Sequence, residues 1–177
     1  RTRPADPPCA MGASASRAKP VSERPPVPAG KVRVCVAGFA VSHNVGRAAS
    51  LARAIVAHSP ERFESWFYFD DQGFRGERSR FLGPRGTGGF LAQIKSELDD
   101  VIARPVLTDR AAFKEHATAP FCWLERPGGV IEALGGRDEL SAWAVAEFPG
   151  VAAISTLASG KPAASEAFFD KSPGTAQ

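Results

Sequence analysis

The sequence predicts an α/β domain with a four-stranded mixed sheet and helices on both faces. Three observations support this class. A β-branched run at Lys31–Ala37 indicates a central strand. A helical pattern and a second apolar run follow it, which predicts a strand–helix–strand unit with parallel strands. A hairpin and a final helix between residues 121 and 148 add an antiparallel pair.

The strand–helix–strand unit spans the first third of the ordered chain. After Lys31–Ala37, residues 38–44 are predicted to form a loop, and residues 45–58 are predicted to form a helix. Apolar residues recur on one face of that helix, namely Ala48, Leu51, Ala52, Ile55 and Val56. Ser59-Pro60 ends the helix, and the aromatic run Phe63–Phe69 predicts the second strand.

The middle of the chain is rich in glycine and arginine. Residues 71–89 are predicted to form a loop insertion. Four arginines and two phenylalanines there leave contact with RNA or a protein open, but their glycine-rich setting favours a solvated loop. A phosphate-binding function is disfavoured, because the loop lacks a Gly-Lys-Ser/Thr ending. Residues 90–102 and 108–116 are predicted to be helices.

The hairpin and its flanks carry the most specific pattern. Strands are predicted at 121–125 and 130–134, joined by the turn at 126–129. Pro120 fits the first position of a strand, and the Ala119–Pro120 bond is of the kind that adopts cis at small cost. Gly135-Gly136 allows a sharp turn into a helix ending near Phe148, for which Asp138 is the predicted cap.

This order of proline, strand, hairpin, strand, Gly-Gly, acidic residue and helix resembles the C-terminal half of a glutaredoxin. The resemblance implies a thioredoxin-like β-α-β-α-β-β-α fold. It also implies a ligand-binding wall for glutathione or an extended peptide, built from Ala119, Pro120, Gly135, Gly136 and Asp138. Residues 31–150 are similar in layout to the glutaredoxin-like segment that precedes the dehydrogenase domain in malate dehydrogenase 1B-type proteins. The chain is therefore expected to be part of such a protein or a stand-alone relative.

The same resemblance places a nucleophilic cysteine at the start of the first helix, where the helix dipole stabilises a thiolate. Ser42 occupies that position here, and a serine hydroxyl does not ionise near neutral pH. Ser42 is therefore expected to cap the helix, with a ligand-contacting role left open. Phe39 replaces the lysine that holds the glycyl carboxylate of glutathione in glutaredoxins.

These features favour a redox-inactive binding or adaptor module that is not an enzyme by itself. Its partner would be a peptide, a protein or glutathione, and no other cofactor is predicted. One alternative is a glutathione-dependent transferase or oxidoreductase that uses Ser42, or Cys122 as a substitute thiol. A second is a Rossmann-type nucleotide-binding domain, suggested by Gly38 and Gly46, although Gly-x-Gly-x-x-Gly is absent.

Three cysteines, Cys9, Cys35 and Cys122, are too few for a disulfide framework and suit a reducing compartment. Cys35 and Cys122 fall in strands that this fold makes neighbours, so their sulfurs could approach each other. Buried free thiols are nevertheless the expected state. The spacing of His and Cys residues predicts no metal site.

The two ends of the chain are predicted to be tails. Residues 1–30 are basic, rich in Pro and Ala, and expected to be disordered. If Met11 is the initiator, Gly12 fits an N-myristoylation signal, and nearby basic residues would add peripheral membrane contact. Residues 151–177 are expected to be a flexible tail or linker.

Charge and hydropathy restrict the classes of partner and the cellular location that are expected. Residues 1–31 carry six Lys/Arg and two Asp/Glu, which leaves sixteen Lys/Arg against seventeen Asp/Glu in the remainder. The predicted domain is thus nearly neutral, which disfavours nucleic acid as a partner. No run of about eighteen apolar residues is present, so no membrane-spanning segment is predicted. The sparse cysteines suit a reducing compartment, so a cytoplasmic location is expected.

Overall fold

The computed structural model describes residues 25–39, 42–70 and 115–168. Within them lie four strands: β1 (Val32–Phe39), β2 (Phe63–Asp70), β3 (Phe121–Arg126) and β4 (Val130–Gly135). Three α-helices accompany the strands: α1 (His43–His58), α2 (Arg137–Glu147) and α3 (Ala152–Ser159). Short 3-10 turns lie at Pro127–Gly129 and Ala164–Phe168. Outside the described residues are Gly12, the loop predicted at 71–89, and the helices predicted at 90–102 and 108–116, except for the last two positions.

The four strands form one mixed sheet in the order β2-β1-β3-β4. β1 pairs in parallel with β2 and antiparallel with β3, and β3 and β4 form an antiparallel hairpin. The predicted α/β class, the parallel first pair and the central position of β1 are therefore confirmed. The antiparallel hairpin does not suit the parallel sheet of a Rossmann-type domain.

One face of the sheet, here called the helix-side face, packs against α1, α2 and α3. Alternate strand residues such as Val34, Val36 and Leu124 point to this face and are fully buried. Leu51 and Ile55 of α1 lie against them with no exposed surface. Burial of one such side chain contributes roughly 1.5–3 kcal/mol, so this layer holds α1 against the sheet.

The other face of the sheet carries aromatic side chains and a buried charge cluster. Trp123 stacks on Tyr68 and Phe121, with ring centroids 5.3 and 5.5 Å apart. Arg33, only 1% exposed, donates to Glu64 at 2.6 Å and to Glu125 at 3.2 Å. These three residues are direct cross-strand neighbours on β2, β1 and β3. The described helices pack on the helix-side face, and the helices predicted at 90–102 and 108–116 fall outside the described residues, except for residues 115 and 116.

The segment after residue 150 differs from the flexible tail that its composition predicts. Ala152–Ser159 forms α3, whose Ile154 is fully buried in the core. Arg47 of α1 donates to both carboxylate oxygens of Glu166 at 2.6 Å and to the carbonyl oxygens of Leu157 and Lys161. Ile154 of α3 and Arg47 of α1 together hold this segment against the core, although its small residues predict a linker.

Candidate functional site

A cavity of about 350 Å³ lies where three segments of the chain converge. These are the start of α1, the loop that leads into β3, and the start of α2. The lining is mostly polar and consists of Asn44, His116, Thr118, Ala119, Pro120, Gly136, Arg137, Asp138 and Glu139. Concave sites with convergent polar groups are the usual places for small ligands or short peptide segments.

Four of the six residues predicted to bind a ligand line this cavity: Ala119, Pro120, Gly136 and Asp138. Ser42 and Gly135 are not in the lining, although Asn44 and Gly136 close to them are. Gly135 ends β4 with a φ of 126°, a backbone conformation that favours glycine, and turns the chain into the cavity wall. Gly135 therefore shapes the cavity wall through its backbone conformation and does not line the cavity itself.

The start of α1 lies very close to the loop before β3. A Cβ atom placed on Gly38 would lie 2.4 Å from Cγ2 of Val45 and 3.4 Å from Cβ of Ala119. Only glycine allows β1, α1 and this loop to approach so closely. The predicted loop at 38–44 is shorter than expected, because β1 continues to Phe39 and α1 begins at His43.

Ser42 caps α1, as predicted. Its backbone is extended, and its hydroxyl oxygen accepts from the Val45 N–H at 3.5 Å. This is a long hydrogen bond, since N–H···O bonds in proteins usually measure about 2.7–3.2 Å. The first turn of α1 contains no acidic residue. The N–H groups at this helix start therefore receive little compensation from the side chains that the structure describes.

The loop before β3 is fixed by His116, which sequence analysis missed as a site residue. Its Nε2 lies 2.8 Å from the carbonyl oxygen of Thr118 and 3.1 Å from that of Pro120, so this nitrogen donates. The imidazole also packs against Phe121, with centroids 5.4 Å apart. The Ala119–Pro120 peptide bond is cis, as the sequence suggested. His116 thus ties both sides of Ala119 into one rigid wall.

The prediction of Asp138 as the cap of α2 is wrong. The N-cap is Gly136 and not Asp138, because the helix begins at Arg137 and places Asp138 inside the first turn. Glu139 Oε2 accepts from the Gly136 N–H at 2.8 Å, which is the acidic half of a capping box. Glycine has no side chain to form the other half. Arg137 donates to Oδ1 of Asp138 through Nε at 2.9 Å and through Nη2 at 2.5 Å.

Comparisons of the chain with protein-family models, with curated proteins and with solved structures found no match.

The cysteines of the sheet, Cys35 and Cys122, are fully buried, as expected. Cys35 pairs with Trp123, and Cys122 pairs with Val36, so the two side chains point to opposite faces of the sheet. Their sulfurs therefore do not approach each other. Burial strongly raises the pKa of the Cys122 thiol, and the nearby Glu139 carboxylate raises it further. Cys122 is thus protonated at neutral pH and is a poor nucleophile.

Within residues 25–39, 42–70 and 115–168, no three His, Cys, Asp or Glu side chains converge on a point where a metal could bind. None of the described helices is both long enough and apolar enough to cross a membrane.

Proposed function

We propose that the chain is a redox-inactive, glutaredoxin-like binding module that holds an extended peptide or glutathione in the cavity beside Pro120. The sheet order supports a thioredoxin-like assignment, because that fold joins a strand–helix–strand unit to a hairpin and a final helix in this order. We also propose that the chain is related to the segment that precedes the dehydrogenase domain in malate dehydrogenase 1B-type proteins, to which it is similar in layout.

The single observation that carries the proposal is the convergence of Asn44, Pro120 and Gly136 on one cavity. The glutaredoxin resemblance requires the start of the first helix, the proline loop and the Gly-Gly turn to meet. Asn44 at the start of α1 is 76 residues from Pro120 and 92 residues from Gly136 in sequence, so its meeting with them is not a local effect. Backbone groups beside the proline are suited to pair with an extended ligand.

The enzymatic alternative, a glutathione-dependent transferase or oxidoreductase, needs a nucleophile or a thiolate-binding donor at this site. The buried, protonated state of Cys122 opposes its use as a substitute thiol. Ser42 remains the group through which such an enzyme would act. Measured turnover of a glutathione mixed disulfide by the wild-type chain would favour this alternative over a binding module.

The proposal is tested by restoring a thiol at Ser42. In a Cys9→Ser background, the Ser42→Cys thiol lies at the start of α1, where partial positive charge stabilises a thiolate. We expect its pKa to fall below the value of about 8.5 for a free cysteine and the variant to gain thiol–disulfide exchange with glutathione. The thiol pKa is measured by thiolate ultraviolet absorbance, and exchange by release of glutathione from a mixed disulfide.

Ser50→Cys is the matched control, because Ser50 lies in the middle of the same helix with similar intermediate exposure. Its thiol pKa is expected to stay near about 8.5, and it should show no gain in exchange. If Ser42→Cys titrates no lower than Ser50→Cys and gains no exchange, Ser42 does not occupy the nucleophile position, and the proposal fails.

A further inference from the structure

The start of α2 already holds a carboxylate of the chain itself. A helix start carries unpaired N–H groups and partial positive charge, and it therefore favours an anion. Here Glu139 Oε2 accepts from the Gly136 N–H at 2.8 Å, and both residues line the cavity. A ligand carboxylate approaching this turn would meet a negative charge and a donor that is already in use.

The other charges of the lining, as far as the structure describes it, do not offset Glu139. Arg137 is the one Lys or Arg among the described lining residues, and it is bonded to Asp138 through two nitrogens. His116 directs Nε2 at two backbone carbonyls. Glu139 Oε1, in contrast, has no hydrogen-bond partner among the described residues. The cavity therefore presents a carboxylate oxygen that can accept from a ligand.

We propose that Glu139 is a specificity-determining residue that makes the cavity select a peptide ligand with an ammonium or guanidinium group and reject a carboxylate at the start of α2. This inference rests on the proposed function, since it assigns a ligand charge to the same cavity. It departs from what the glutaredoxin resemblance alone implies, because glutathione brings two carboxylates to the site.

The test compares two ligands that share one backbone and differ in charge. S-Methylglutathione carries two carboxylates and one ammonium group, whereas its diethyl ester carries only the ammonium group. Each is titrated into the isotope-labelled full chain, and binding is followed by the amide NMR signals of residues around the cavity. We expect the ester to bind at least about tenfold more tightly, a difference of about 1.4 kcal/mol, because a ligand carboxylate beside Glu139 is repelled, whereas the ammonium group is common to both ligands.

Two variants assign that preference to Glu139. Glu139→Gln keeps an oxygen that can accept from Gly136 and removes the charge, so it should fold normally and lose most of the preference. Glu139→Ala also frees the Gly136 N–H and should bind the acid more tightly than wild type does. Glu147→Gln, at the exposed far end of α2, makes the same charge change away from the cavity and should keep the full preference.

The outcomes separate this inference from the proposed function. If wild type binds the acid as tightly as the ester, or if Glu139→Gln retains the preference, the role of Glu139 is wrong while the binding function stands. If neither ligand shifts the signals around the cavity in wild type or in any variant, the binding function itself is wrong, and the inference falls with it.

Discussion

The two helix starts that meet at the cavity differ in how the chain treats their positive ends. At α1, the Ser42 hydroxyl accepts one hydrogen bond, of 3.5 Å, and the first turn contains no acidic residue. At α2, Asp138 and Glu139 both lie in the first turn, and Glu139 bonds to Gly136 at 2.8 Å. Among the described side chains, the start of α1 thus receives little compensation, whereas the start of α2 is neutralised by a carboxylate of the chain itself.

Because of this difference, the two ends of the cavity differ in their electrostatic character. In the proposed glutaredoxin-like module, the end at α1 is where the resemblance places a thiolate, and Ser42 is there instead. At the other end, the helix start of α2, which would favour a ligand carboxylate, is already occupied by the carboxylate of Glu139. These two differences favour a ligand other than glutathione for the proposed site.

The largest expected effect concerns how closely α1 is held to the rest of the site. Gly38→Ala would place a Cβ 2.4 Å from Cγ2 of Val45, a stiff β-branched side chain that cannot turn away easily. Overpacking of this kind costs about 1–3 kcal/mol, which outweighs the roughly 0.4–1 kcal/mol gained by restricting the unfolded chain. We expect a lower free energy of unfolding, measured by urea denaturation.

The matched control for that clash is Val45→Ala, which removes the methyl groups that the new Cβ would meet. The double variant Gly38→Ala/Val45→Ala should be more stable than the sum of the two single losses predicts, by about 0.5–3 kcal/mol. Additive losses would mean that Gly38 does not limit the approach of α1, and the cavity geometry at this end would need another cause.

The next prediction concerns the ion pair that holds the C-terminal segment against α1. The hydrogen bond from Arg47 has the largest effect and lowers the pKa of Glu166, and burial, the next largest, opposes it. The Ala163 N–H and the charges of Arg47 and His43 lower the pKa further. A carboxylate with a lowered folded-state pKa stabilises the fold above its unfolded pKa of about 4.3. That stability is lost as the pH falls through the folded-state value.

Glu166→Gln should therefore lower the free energy of unfolding by about 1 kcal/mol near pH 7, and the deficit should shrink below about pH 4.3 and vanish at lower pH. Urea denaturation over a pH series measures the difference. Glu147→Gln removes an exposed pair with Arg62 and should have little effect at any pH. A deficit for Glu166→Gln that persists unchanged at low pH would show that its carboxylate charge is not the stabilising group.

Much of the fold could be predicted because its signals are local. Alternation of β-branched residues marked β1, a repeating apolar face marked α1, and glycines and prolines marked the hairpin. The helix α3 was missed, because its burial depends on Ile154 reaching a core formed by distant elements. His116 and Glu139 were missed as site residues for a similar reason. Their roles come from bonds to backbone groups that only the folded loop and turn bring within reach.

The smallest expected effect is the difference in stability loss between removing the Ser42 cap of α1 and removing the Glu139 cap of α2. Replacing an N-cap serine by alanine costs about 0.5–2 kcal/mol, and the 3.5 Å bond of Ser42 places Ser42→Ala near the lower limit. Glu139→Ala removes a shorter, charge-assisted bond and a favourable interaction with the helix dipole, so we expect it to cost about 0.5 kcal/mol more. Urea denaturation of the two variants and of Glu139→Gln, which should fall between Glu139→Ala and wild type, measures the order. If Ser42→Ala lowers the free energy of unfolding more than Glu139→Ala does, the start of α1 is better compensated than the start of α2, and the electrostatic contrast across the cavity is reversed.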